Sequence, residues 1–240
     1  MHEQPNVFCH TQSSRFQCGD IVNIDKPSSL TSFQVVRRIR RWTGCRKVGH
    51  TGTLDPMATG VLLVCTGKAT KMVADFMELM KMYEGEILLG QTTDTDDADG
   101  RIIQESSVPL ISESQIQLVL NQYLGEIDQV PPRFSAIRRN GTRMYHLARK
   151  GLPVTAPPRR VLIDQISLLS WEQPRIRIRI RCGKGTYIRS LARDIGNQLG
   201  TGGHLSQLRR TAIGPYHVDE AWPLEQFKKA VLNDESLSII

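Results

Sequence analysis

Between Arg175 and Cys182 the chain alternates without a break: Arg175, Arg177, Arg179 and Arg181 interleave with Ile176, Ile178, Ile180 and Cys182. A period of two sorts the four arginines onto one face of a strand and the apolar side chains onto the other, and no helix can do so. Such a strand needs neighbours in a sheet and a layer to cover its apolar side. Val161–Trp171 reads as its hairpin partner, Gly19–Pro27 and Tyr83–Leu89 as further strands, and Gly60–Cys65 (GVLLVC) as a fully buried one. Helical patterns cover Thr31–Trp42, Lys68–Met80, Ser112–Leu124, Thr186–Leu199 and Pro223–Leu232. Strands and helices mixed with hairpin signals predict an α+β fold around a mostly antiparallel sheet. Residues 1–18 read as a polar lead-in, 19–232 as one domain with an insertion near 131–160, and 233–240 as a tail.

Charge then narrows the partners. The 240-residue chain is +7, with a pI of about 9.3. Eight cations and no acid fall between Pro131 and Arg160, around an Asn140-Gly141 turn, more than the net charge of the whole chain. Six more lie between Arg37 and Lys47, and no acid occurs between Asp25 and Asp55. One basic run is as readily a solvated face as a binding site; two acid-free islands in a small chain point to nucleic acid. The five cysteines are scattered without a C-x-x-C pair, against both a disulfide framework and zinc, and fit a cytoplasmic location. No apolar run nears the ~18 residues of a membrane span, and the N-terminus has no signal-like core.

Two segments could carry chemistry. Gly49–Gly60 (GHTGTLDPMATG) places Asp55 beside Pro56 and near His50 on a glycine-punctuated loop that runs into the buried strand. By itself an Asp-Pro between glycines reads as a turn. Cys182–Ser190 (CGKGTYIRS) passes from a strand through a glycine-rich turn into a helix, which could hold phosphate but by itself reads as an ordinary connection. The acidic run Asp94–Gly100 fails as a calcium loop, because Ala98 takes a ligand position and Asp99 the glycine position. It reads as a strand-joining turn.

In sequence, GHTGTLDPMATGVLLVCTGKATK closely resembles the catalytic segment of the TruB family of tRNA pseudouridine synthases. The resemblance continues through VNIDKP, KMYEGEILLGQTTDTDDADG, QVPPRFSAIRRNGTRMYHLARKG and CGKGTYIRSLARDIGNQLGTGGHLSQLRRTAIG, about residues 20–225. It implies a pseudouridine synthase fold and isomerisation of the T-loop uridine at tRNA position 55 without cofactor or metal. It implies Asp55 as nucleophile, Tyr83 stacked on the flipped uracil, Arg189 paired with the aspartate, and Leu208 as an apolar wall. It places His50 in the T-loop, Lys26, Lys71, Tyr187 and Arg210 along the cleft, and Arg138, Arg139 and Arg143 in a T-arm clamp. The expected partner is the tRNA T-arm, and the expected state a monomer. The family usually adds a small C-terminal RNA-binding domain, for which the last helix is expected to leave no room. The competing readings are a non-catalytic RNA-binding protein on the same fold, a same-family synthase acting on another RNA, and a metal-dependent nuclease built on Asp94–Asp99.

Overall fold

The computed structural model describes residues 16–135, 137–139, 141–149, 151–152 and 155–233, the side chains of Arg138, Arg139, Arg143 and Arg149 excepted. Residues 1–15 of the expected lead-in and 234–240 of the expected tail lie outside them. The chain divides into two compact units, residues 80–210 and the segments on either side.

The first unit opens with β1 (Ile21–Lys26), helix α1 (Ser32–Thr43), the short β2 (Val48–His50) and β3 (Thr59–Thr66). Helix α1 begins as its sequence dictates. The Thr31 hydroxyl accepts from the Gln34 amide while the Gln34 side chain returns to the Thr31 amide. It ends at Gly44, whose φ of 64° is a left-handed cap open to glycine at little cost. β3 lies between β1 and β2, antiparallel to both. Its unbroken apolar run follows from covering two cores. Leu62 and Val64 join Val22, Ile24, Val35 and Ile39, whereas Val61, Leu63 and Cys65 join Phe76 and Ile213. The expected helix over Lys68–Met80 is in fact a 3₁₀ turn, Gly67–Met72, followed by a short α2 (Val73–Glu78). The Thr70 hydroxyl bonds to Gly67 O and tightens that first turn.

The second unit starts with β4 (Lys81–Leu89), then the hairpin of β5 (Gln91–Thr93) and β6 (Ile102–Glu105). Helix α3 (Glu113–Asn121) and β7 (Gly125–Gln129) lead to the basic insertion. There, β8 (Arg138–Arg139) pairs with β9 (Thr142–Arg143) ahead of α4 (Met144–Arg149). β10 (Arg159–Glu172) and β11 (Arg175–Cys182) follow, then α5 (Ile188–Gln198) and β12 (Gly203–Ile213). The sheet order is β12-β4-β11-β10-β7, with antiparallel pairing from β4 to β7. Ile176, Ile178 and Ile180 are fully buried. On the opposite face Arg175 meets Glu86 at 2.7 Å, Arg179 meets Glu84 at 2.6 Å and Arg181 meets Asp164 at 2.8 Å. That conspicuously cationic strand is therefore largely neutralised across the sheet.

Thr211 returns the chain to the first unit, where β13 (Tyr216–His217) pairs with the end of β12. β14 (Trp222–Pro223) then adds beside β1 in parallel, and α6 (Leu224–Leu232) sets Leu224 and Phe227 into the α1 core. Cysteine usage departs from expectation at one position. Cys45, Cys65 and Cys182 are free and buried, but Cys18 is disulfide-bonded. Scattered spacing argues against a framework of several bridges and does not restrain a single pair.

Candidate active site

Asp55 is half-buried on the loop between β2 and β3, and both of its neighbours are tied down. The Ser32 hydroxyl accepts from the Leu54 amide at 2.9 Å and donates to the Leu54 carbonyl at 3.1 Å. On the other side, the Pro56 carbonyl accepts from the Ser29 amide at 2.8 Å and from Lys26 Nζ at 3.2 Å. The Ala58 amide closes a turn onto Asp55 O at 3.1 Å, with Leu54 and Ala58 buried beneath. What reads in sequence as a generic Asp-Pro turn is a carboxylate on a clamped backbone.

Lys26 is fully buried, and its ammonium also donates to the carbonyls of Pro27 at 2.9 Å and Leu30 at 2.7 Å. Its described bonds thus go to the backbone around the Asp55 loop. Lys26→Met is expected to destabilise the protein by about 2 kcal/mol, since buried carbonyls lose a charged donor. Lys68→Met, at an exposed position, serves as the control. Equal melting temperatures for the two variants would refute the pin. His50 ends β2, and its Nδ1 accepts from the Gly52 amide at 3.3 Å, which leaves Nε2 for the ring proton of the neutral form.

In the second unit Tyr83, on β4, is buried, and its hydroxyl accepts from Arg210 at 3.4 Å. The Arg210 guanidinium lies 5.9 Å from the Tyr83 ring centroid and is itself 1% exposed. Leu208, two residues before Arg210, is buried near Gly85 of β4. Three expected residues, Tyr83, Leu208 and Arg210, thus converge. Tyr187 precedes α5, with its backbone held at both ends by Gln129, whose side chain accepts from Tyr187 N and donates to Tyr187 O. Lys71 is exposed on the 3₁₀ turn beyond the far end of β3. Arg138, Arg139 and Arg143 lie on the β8–β9 hairpin, and their side chains are outside the described ones.

Arg189 on α5 is almost entirely buried and has a counter-ion that sequence reasoning missed. Its Nε lies 3.4 Å from Asp97 Oδ2, and its other nitrogens donate to Thr95 O and Phe134 O at 3.0 Å. One helical turn on, Arg193 binds Asp96 at 2.9 Å. Burial pushes the Asp96 carboxyl up, against the pull of Arg193. The acidic hairpin is thus more than a turn: it grips α5 by two arginines. The available signal was the match of adjacent acids, Asp96 and Asp97, to arginines four apart on one helix face. Among the described residues no three His, Cys, Asp or Glu side chains group as a metal site.

Comparison with known proteins decides the lineage. Residues 40–188 match the model of the TruB family pseudouridylate synthase N-terminal domain, and 189–238 that of the tRNA pseudouridylate synthase B C-terminal domain. The chain belongs to the TruB family of tRNA pseudouridine synthases. It is 46% identical over 205 residues to the tRNA pseudouridine synthase B of Xanthomonas campestris pv. campestris, covering 85% of this chain and 67% of that one. With the enzyme of that name from Mycobacterium sp. it shares 48% over 211 residues, covering 86% and 71%. A chain of the solved Cbf5-Nop10-Gar1 complex superposes with a TM-score of 0.70 at 30% identity, covering 95% of this chain and 60% of that one. The chain therefore spans about two thirds of the TruB relatives it matches. The match over 189–238 assigns α5, β12 and α6 to the family's own C-terminal region.

Proposed function

We propose that this TruB-family chain isomerises the T-loop uridine of tRNA with Asp55 as nucleophile. The observation that carries the reading is the Asp55 loop, whose backbone is tied at Leu54 and Pro56 while the aspartate between them stays half-exposed. A nucleophilic carboxylate must be reachable and held still, and such a loop meets both needs. In the reaction the C1′–N1 bond breaks, the uracil turns, C5 bonds to C1′, and the C5 proton is replaced by one on N1. Nothing is oxidised or reduced overall. Because the reacting carbon is hidden in a stacked loop, the base must be flipped out. Tyr83, with Leu208 and Arg210 beside it, offers an aromatic and apolar wall for that base. The basic 131–160 insertion supplies charge for the T-arm backbone, and the protein acts as a monomer in the cytoplasm. The test is to incubate the chain with an unmodified tRNA transcript and map pseudouridine chemically. Conversion confined to the T-loop is expected; conversion elsewhere or none refutes the assignment.

A further inference from the structure

Beyond the Thr66 end of β3, Arg46, Lys47, Lys68 and Lys71 line one open cavity of about 400 Å³, and no carboxylate lines it. None of the four is ion-paired among the described residues. The cavity is a built one. The Gly67 amide donates to Lys47 O at 2.8 Å, joining the segment that carries Arg46 and Lys47 to the turn that carries Lys68 and Lys71. Buried Cys45 bonds the same Lys47 carbonyl through its thiol at 3.2 Å. Four cations held around one opening repel one another, and an anion there relieves the strain.

A second cavity, of about 470 Å³, continues the surface along α1 between Phe33, Arg37, Arg40 and Arg41. Arg40 links the two, reaching the carbonyl of Val48, next in the chain to Lys47, at 3.4 Å. Phe33 is 68% exposed there, an aromatic face among arginines, which suits an unstacked base beside a phosphate better than an acidic peptide. Asp55 precedes the opposite end of β3. Eight residues at about 3.3 Å each separate the two ends by roughly 25 Å.

We infer that the cavity receives a backbone phosphate of the substrate RNA, roughly 25 Å from the reacting uridine. The inference takes from the proposed function only that the ligand is RNA. The probe is an unmodified tRNA transcript, titrated at several salt concentrations against wild type, Arg46→Gln/Lys68→Gln and the charge-preserving Arg46→Lys/Lys68→Arg, with melting curves to confirm folding. The glutamine variant binds more weakly, and its log–log salt slope falls by about 0.7–0.9, the value for one phosphate contact. The charge-preserving variant keeps the wild-type slope. A glutamine variant with wild-type affinity and slope overturns the inference, and leaves the synthase reading intact if wild type forms pseudouridine. A wild type that forms none, while the glutamine variant loses slope, sinks the synthase reading and keeps the cavity. Failure of wild type to bind the transcript sinks both.

Discussion

Asp55→Asn is expected to yield a folded protein that still binds RNA but whose turnover falls by about four orders of magnitude or more. Folding survives because the bonds that clamp the loop run through Leu54 and Pro56, and the asparagine amide fills the same volume. Activity does not, because an amide is a far poorer nucleophile than a carboxylate. Single-turnover pseudouridine formation, with a melting curve and a binding isotherm on the same sample, separates the cases. Turnover within about tenfold of wild type removes Asp55 from the role.

Arg189→Met is expected to cost about 3–5 kcal/mol of stability, because it strands the buried Asp97 carboxylate without its cation. Adding Asp97→Asn removes the stranded charge and should restore a large part of the loss. The pair then shows a coupling energy well above the additive expectation. Denaturant titration of the two single variants and the double one measures it. A loss below about 1 kcal/mol for Arg189→Met means that the pair does not hold α5 to the acidic hairpin. Activity separates a structural from a chemical role. A double variant that is stable again yet inactive shows that Arg189 does more than hold the fold.

Much of this was legible in the chain. The alternating β11, the helical α1 and the buried β3 each carry a local pattern that their surroundings reinforce, so that pattern was enough. The candidate site residues were legible through resemblance, since Asp-Pro between glycines has no distinctive local physics. What escaped was non-local. Nothing local marks Ser32 as the residue whose hydroxyl holds Leu54, 22 residues away. Asp97 looked like turn polarity until α5 brought Arg189 to it. The counter-ions of the β11 arginines could not be read along the chain, because Glu84, Glu86 and Asp164 sit on other strands. β12 went unseen because its polar residues hide a run that is covered on alternate positions.

The clamped loop also divides the labour between enzyme and substrate. A segment fixed through Ser29, Ser32 and Lys26 has already given up its conformational freedom when the protein folds. It has little left to lose on meeting RNA, and little capacity to reshape itself around a poorly fitting one. On the proposed role of Asp55, the rearrangement that brings uridine and carboxylate together falls to the nucleic acid, whose loop must unstack and turn a nucleotide outward. The ease with which a given RNA loop opens becomes a selector in its own right, one that discriminates among uridines without a single base-specific contact.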